Sequence, residues 1–374
     1  MNELLTKTLY QTFHQSKSAF ALTDKKIASQ LRRLISPPPP EPESKPTPPE
    51  TIDRFKQRYE QLLETDWQDA QRDIYPVELL FDNPWEDFFL YYPAIWLERP
   101  KMWQRMEQKK YREFSPEIDT AGYPQYYLQN FHYQTDGYLS DLSASLYDVE
   151  VEILFNGVGD AMRRRVLAPL QLGLLDMGLE SAAAPKSTNP KSANPKSANQ
   201  ERARILDVAC GTGRTLKFIR ATVPKASLFG IDLSPPYLRK AARLLSEDTG
   251  ELPQLVQANA EEMPYRDSYF HGITCVFLFH ELPATARQHI IDECFRVLQP
   301  GGTFIICDSI QIFDSPELEP MMEAFARAFH EPYYKDYIRD NLLERLQQAG
   351  FEKVDEQTHF SSKYLVARKP KARV

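Results

Sequence analysis

The chain has 374 residues, of which 42% are hydrophobic and 26% are charged, as in an ordinary globular protein. Its 45 basic and 52 acidic residues give a formal net charge of −7, so it lacks the basic excess that is typical of nucleic-acid-binding domains. No apolar run reaches the roughly 18 residues of a membrane-spanning helix, and the N-terminus lacks the apolar core of a signal peptide. The four cysteines form no C-x-x-C pair, which excludes a disulfide framework or a cysteine zinc site and predicts a cytoplasmic protein.

The first half of the chain predicts helices separated by a linker. Apolar residues at helical spacing predict an N-terminal helical segment over residues 1–35. A proline-dense acidic stretch, residues 36–50, predicts an extended linker. Residues 51–180 are rich in aromatic residues and predict a helical region, whose aromatics either fill a core or wall a pocket for a flat substrate. Within it, the basic run Met162–Arg165 is interpreted as a solvated helix face.

A second interruption precedes a change of pattern. Residues 181–202 contain a five-residue unit written three times, which predicts a looped insertion with a spacing role. Over residues 203–370, short strands alternate with helices, which predicts a doubly wound, mostly parallel, seven-stranded α/β sheet capped by the N-terminal helical region. The predicted strands are Ile205–Ala209, Ser227–Asp232, Gln254–Ala258, Gly272–Phe279, Thr303–Asp308, Phe351–Gln357 and Ser362–Arg368.

The stretch ILDVACGTGRTL at Ile205–Leu216 joins the first predicted strand to the first helix of this pattern. Ligands of such sheets bind at the carboxyl ends of the strands, and glycines there allow the backbone to approach a ligand. A dinucleotide fingerprint would need a small residue at Leu216, and Asp207 would repel a pyrophosphate. An acid before the glycines instead suits a cofactor with cationic groups, such as the amino group and sulfonium of S-adenosylmethionine. A plain strand-to-helix turn is the alternative.

Two further strand ends fit the same nucleoside cofactor. Asp232 ends the second predicted strand in GIDLS, where a carboxylate can accept hydrogen bonds from both ribose hydroxyls. The segment ANAEEMP follows the third strand and places Asn259–Glu261 where an adenine edge would lie.

These motifs resemble those of the class I S-adenosylmethionine-dependent methyltransferases. LDVACGTG, GIDLS, ANAEEMP and FRVLQPGG occur in the family's order, and the resemblance covers about Arg204–Arg368. It implies a Rossmann-like methyltransferase fold with S-adenosylmethionine as cofactor. Ala209 departs from the glycine of many members, and alanine is small enough to retain binding. The residues assigned to the cofactor are Asp207, Ala209, Gly211, Gly213, Asp232, Leu233, Asn259, Ala260, Glu261 and Phe277.

Within this family the chain is most similar to the quinone C-methyltransferase-like, small-molecule branch. The resemblance lies in Ser143–Gly157, where a Tyr147–Asp148 pair matches a Tyr-Asp pair of that branch. The motif Asp/Asn/Ser-Pro-Pro-Tyr/Phe, found after the fourth strand in enzymes that methylate amide or adenine nitrogens, is absent there. The similar SPPYL at Ser234–Leu238 follows the second strand and is interpreted as a helix start with an early proline.

Candidates for catalysis follow the fourth predicted strand. In VFLFHELP we select His280 and Glu281, with His280 as the base because an ordinary histidine titrates near neutrality. The alternative is that His280 lines the cleft or bonds the backbone. Neither this His-Glu pair nor the one at His330 belongs to an H-E-x-x-H motif, so we expect no metal. The candidate substrate residues are Tyr127, His132, Tyr147, His330 and Tyr333.

The sequence therefore predicts a cytoplasmic methyltransferase that acts on a small molecule, with C- or O-methylation favoured, without nucleic-acid binding or a membrane span. The alternatives are an RNA or protein methyltransferase, a nicotinamide-dependent oxidoreductase, and a non-catalytic protein that retains the fold. The sequence does not determine the acceptor or the oligomeric state.

Overall fold

A computed structural model describes residues 3–35, 48–179, 202–247 and 250–371. Most of the predicted linker at 36–50 and nearly all of the predicted insertion at 181–202 lie outside the described residues. Across the described helices, none has the length and apolar character that a membrane crossing requires.

The C-terminal half forms one seven-stranded sheet with the strand order β3-β2-β1-β4-β5-β7-β6. Strands β1 to β5 are parallel, and β7 runs antiparallel to both β5 and β6. The strand order reverses beside β1, which is the usual place for a ligand in such a sheet. The fold class predicted from the sequence is confirmed. The strands are β1 (Arg204–Val208), β2 (Ser227–Asp232), β3 (Gln254–Gln257), β4 (Phe270–Val276), β5 (Leu298–Ser309), β6 (Glu352–His359) and β7 (Ser362–Arg368).

Helices cover both faces of the sheet and continue into the N-terminal half. Six of them precede the sheet: α1 (Glu3–Ile35), α2 (Pro49–Gln71), α3 (Trp85–Gln108), α4 (Asp141–Leu154), α5 (Gly159–Arg164) and α6 (Leu167–Asp176). Three more alternate with strands: α7 (Arg214–Thr222), α8 (Pro235–Ser246) and α9 (Ala284–Val297). The last described helices follow one another between β5 and β6: α10 (Glu319–Ala328), α11 (Tyr334–Tyr337) and α12 (Leu342–Gln348).

Strand β1 illustrates why the sequence forms a sheet that is buried on both sides. Successive side chains of a strand point to opposite faces. Ile205 accordingly joins the apolar cluster that contains Phe218 of α7, whereas Leu206 joins the cluster that contains Ile290 of α9. A continuous apolar run is therefore needed here, where a half-exposed strand would alternate with polar residues.

Helix α6 belongs to the N-terminal half in sequence but packs directly on β4 and β5. A Cβ added to Gly272 of β4 would lie 2.5 Å from Cδ1 of Leu170, so a larger residue would force the Leu170 side chain to shift. The helical region is thereby joined to the sheet through apolar contact.

The prediction that Met162–Arg165 forms a solvated face is wrong. Arg164 is 1% exposed, and its Nη2 and Nε donate to the two oxygens of Asp66 over 2.6 and 2.9 Å. The hydroxyls of Tyr10 and Tyr75 donate to the same carboxylate. A buried guanidinium requires a paired and hydrogen-bonded acid. Helix α2 supplies that acid from 98 residues away, beyond the reach of local pattern reasoning.

The predicted fourth strand ends three residues early. Phe277 has a φ of 59°, which leaves the extended region, and a short 3₁₀ helix follows at Phe279–Glu281. The strand end thus turns His280 and Glu281 over the carboxyl edge of the sheet. The interpretation of SPPYL is confirmed, because Oγ of Ser234 accepts a hydrogen bond from the backbone N–H of Tyr237 and Pro235 opens α8.

Candidate functional site

A cavity lies at the carboxyl ends of β1, β2, β3 and β4, beneath aromatic residues of the N-terminal half. It encloses about 100 Å³ in this arrangement, less than the several hundred Å³ of most small-molecule sites. Its strand-end lining includes Ala209, Gly211, Asp232, Leu233, Asn259, Ala260 and Phe277, and its aromatic lining includes Tyr126, Tyr127, Phe131, Tyr138, Tyr147 and Tyr237.

The turn after β1 has the backbone that the glycines predict. Gly211 has a φ of 52° and lines the cavity. Ala209 also has a positive φ, 54°, a conformation that glycine adopts at lower cost. Gly213 has a different role: it does not line the cavity, and a Cβ added there would lie 3.0 Å from Cβ of Ala241. Its side-chain-free surface permits α7 and α8 to pack closely.

Asp232 is held at the end of β2 with its carboxylate at the cavity wall. Its Oδ2 accepts from the backbone N–H of Gly211 over 2.9 Å, and its Oδ1 accepts from that of Ser234 over 2.8 Å. Enclosure of the group raises the pKa of Asp232 to about 6. Each oxygen has one donor and retains a lone pair, so the carboxylate can accept two further hydrogen bonds from a ligand.

Asp207 lies deeper than the sequence suggested. It is 2% exposed and does not line the cavity. Its Oδ1 accepts from the hydroxyl of Thr274 on β4 over 2.6 Å, and burial raises the pKa of Asp207 to about 7. Asp207 therefore does not contact a ligand in the cavity directly, and it can affect one only through the turn that follows β1.

The segment after β3 divides between the cavity and the protein surface. Asn259 and Ala260 line the cavity. Glu261 turns away from it, accepts from the hydroxyl of Tyr126 over 2.6 Å, and pairs with His289. The geometry therefore disfavours direct contact between Glu261 and a ligand in the cavity.

The two catalytic candidates occupy different environments. Glu281 lines the cavity, where its Oε1 accepts from the hydroxyl of Tyr138 over 2.5 Å, and burial raises the pKa of Glu281. His280 points away and places Nδ1 2.7 Å from Oδ1 of Asp308. Burial opposes its protonation, but the charge and hydrogen bond of Asp308 prevail and raise the pKa of His280 to about 10. At neutral pH the imidazole of His280 therefore carries a proton on both nitrogens and cannot accept another. This disfavours the predicted role of His280 as the base and favours Glu281.

The five candidate substrate residues separate into two groups. Tyr127 and Tyr147 line the cavity. His132 lies behind it, with Nε2 3.0 Å from Oε1 of Glu331, and burial lowers the pKa of His132 to about 3. His330 stacks on Tyr111 with ring centroids 4.2 Å apart, outside the cavity lining.

Tyr333 is also absent from the lining, and its carbonyl accepts from Arg287 over 3.2 Å. Tyr138 and Tyr237 line the cavity although no sequence motif singles them out as site residues. Tyr138 lies in a stretch rich in aromatic and polar residues, which is the available signal in the sequence.

The aromatic layer is fixed to the sheet by polar contacts. Oγ of Ser234, just after β2, donates to the carbonyl of Tyr138 over 2.6 Å. The hydroxyl of Tyr237 on α8 lies 2.9 Å from Oγ of Ser143 on α4. The ring centroid of Tyr237 lies 5.5 Å from those of both Tyr138 and Tyr147, in edge-to-face geometry. The cavity therefore has two walls, one formed by the strand ends and one by the aromatic residues. The segment after β2, which carries Ser234, connects them.

Comparison with known proteins gives a match in the same region. Residues 205–302 match the family model described as "Methyltransferase domain". Ubiquinone/menaquinone biosynthesis C-methyltransferases of Yersinia pestis and Vibrio cholerae are each 36% identical over 121 residues. That region is 32% of this chain and 45% or 44% of the relative, so the chain spans less than half the length of these curated relatives.

Among solved structures, an S-adenosylmethionine-dependent methyltransferase of Methanosarcina mazei is 21% identical, with a TM-score of 0.37 over 47% of this chain and 97% of that one. Human N-acetylserotonin methyltransferase in complex with S-adenosylmethionine is 14% identical, with a TM-score of 0.46 over 72% of this chain and 67% of that one.

Proposed function

We propose that this chain, whose residues 205–302 match the methyltransferase-domain family, is an S-adenosylmethionine-dependent methyltransferase that acts on a small molecule. In this assignment residues 203–370 bind the cofactor and residues 51–180 cover the acceptor. C- or O-methylation is favoured because the motif of amide and adenine N-methylation is absent. The observation that carries the proposal is that one cavity joins the carboxylate of Asp232 to that of Glu281, beneath a layer of aromatic rings.

The strand-end wall carries polar and apolar groups that suit the adenosine part of S-adenosylmethionine. The charged carboxylate of Asp232 suits two vicinal ribose hydroxyls, and the neighbouring Leu233, Ala260 and Asn259 offer apolar surface with one amide beside it. The turn at Gly211 brings backbone close to the cavity without a side chain. When bound, S-adenosylmethionine supplies an electrophilic methyl group on its sulfonium.

The aromatic wall determines what the acceptor end can do. Tyr127, Phe131 and Tyr147 present apolar faces that exclude water and suit a flat acceptor. Glu281 is the acidic group among them, and the hydroxyl of Tyr138 occupies one of its two oxygens. The other oxygen is available to accept a hydrogen bond from the acceptor and to receive the proton that the acceptor loses. Alignment and proton removal are the tasks that methyl transfer leaves to the protein.

The test is to incubate the purified protein with S-adenosylmethionine labelled in its methyl group and a small-molecule extract, and to identify the labelled product by mass spectrometry. Label in a low-molecular-weight product is expected, and it should disappear with the Glu281→Gln variant. Label in RNA or protein from a parallel whole-cell extract, with none in small molecules, would overturn the acceptor class. Failure of the protein to bind the cofactor would overturn the activity itself.

A further inference from the structure

We propose that His132, Glu281 and Glu331 form a binding site for one divalent metal ion. The three residues come from the loop before α4, from the 3₁₀ helix after β4 and from the segment before α11. Each offers one ligand atom, and these atoms all lie within 4.8 Å of one another. The sequence predicts no metal because neither His-Glu pair forms a known motif. The fold instead brings the two glutamates of those pairs together and supplies the imidazole of a third histidine.

Glu331 is the observation that distinguishes this cluster from an ordinary group of acidic residues. It is 2% exposed, and among the described residues no hydrogen-bond donor reaches either of its carboxylate oxygens with adequate geometry. Nε2 of His132 lies 3.0 Å from Oε1, off the hydrogen-bonding direction. Burial of a carboxylate without partners is costly. The group must therefore hold either a proton or a cation, and it is directed at the two other ligand atoms.

The charges around the cluster match a divalent cation. Asp308 is satisfied by His280 over 2.7 Å and by the backbone N–H of Phe279 over 2.7 Å. Glu281 has only the hydroxyl of Tyr138 as its hydrogen-bond donor among the described residues. The positive charge of His280 acts on both Glu281 and Glu331 but is already paired with Asp308, so one divalent ion would compensate the two carboxylates.

His132 is suited to coordinate a metal. Its Nε2 lies 3.0 Å from Oε1 of Glu331, and an imidazole nitrogen is a common metal ligand. Its backbone N–H donates to the carbonyl of Phe329 over 3.0 Å, which fixes it beside the segment that carries Glu331. Its φ of 54° is an unfavourable conformation that the surrounding contacts maintain, as is common at functional sites.

The ligand set indicates which ion to expect. One imidazole nitrogen with carboxylate oxygens suits Zn²⁺ and neighbouring first-row ions better than Mg²⁺, which prefers oxygen ligands and retained waters. Three protein ligands leave a coordination position open, as in zinc sites that bind a substrate or water. Because Glu281 lines the cavity, the open position would face the space that we assign to the acceptor, and the ion and the proton of the acceptor would compete for the free oxygen of Glu281.

The test measures metal binding without cofactor or acceptor, so its result is independent of methyl transfer. Protein dialysed against a chelator is titrated with Zn²⁺ by calorimetry and with Co²⁺ by visible absorption. One equivalent should bind, and His132→Ala and Glu331→Gln should each weaken Zn²⁺ binding at least tenfold. His330→Ala is the matched control, because His330 stacks on Tyr111 outside the cluster and should leave the affinity unchanged.

Three results would each overturn the proposal. The first is the absence of stoichiometric binding. The second is unchanged affinity in both ligand variants while circular dichroism shows them folded. The third is an infrared carboxylic-acid band that Glu331→Gln removes and that persists in wild-type protein under excess Zn²⁺, since Glu331 would then hold a proton rather than the metal.

Discussion

Replacement of Asp232 by asparagine removes the negative charge at the end of β2 while it preserves the size of the side chain. Each carboxylate oxygen already accepts one backbone N–H, over 2.9 and 2.8 Å, and has capacity for one ribose hydroxyl. The amide retains one oxygen, so the variant loses about one hydrogen bond to a charged acceptor. Such a bond contributes about 1.5–3 kcal/mol. The Kd for S-adenosylmethionine should therefore rise about ten- to 150-fold.

Isothermal titration calorimetry on the full chain measures this change directly. Asp267→Asn is the matched control, because Asp267 is an acid of the same half of the chain whose side chain is 76% exposed and pairs with Arg296. Its Kd should equal that of wild type. The amide introduced by Asp232→Asn would also face a backbone N–H, so near-ultraviolet circular dichroism must show that the variant is folded. A folded Asp232→Asn protein with a Kd within threefold of wild type would refute the role of Asp232.

Three further outcomes are expected. Enclosure raises the pKa of Asp232 to about 6, so its ionised fraction falls to about one tenth at pH 5. Calorimetry should show that the affinity for S-adenosylmethionine rises about tenfold from pH 5 to 7, and Asp232→Asn should reduce this dependence. Asp66→Asn leaves the buried Arg164 without its charge partner and should lower the free energy of unfolding by about 3–5 kcal/mol in urea denaturation, and a loss under about 1 kcal/mol would contradict the pairing. Glu281→Gln should lower kcat for the identified acceptor about 100-fold or more with unchanged cofactor Kd, whereas an unchanged kcat would remove the proton-accepting role.

The residues at the strand ends show which part of the site the local sequence pattern predicts. Asp232 ends β2, while Gly211 and Asn259 closely follow the ends of β1 and β3 in sequence. Parallel strands place their carboxyl ends at one edge of the sheet. Their meeting at the cavity therefore follows from short-range sequence alone. Gly213 and Asp207 lie in the same motif but face α8 and β4, because side-chain direction also depends on which elements pack against the turn.

The sequence by itself determined the parallel sheet, its order of elements and the edge at which Gly211, Asp232 and Asn259 meet, since hydrophobic periodicity and strand-end polarity are local properties. Only the tertiary structure decided the ionic environments. Arg164 became buried because Asp66 reaches it from 98 residues away, and His280 became a cation because Asp308 lies beside it. Glu331 joined Glu281 and His132 in the same way. Such pairings depend on long-range packing that no spacing along the chain encodes, and the charge state of a buried group follows from them.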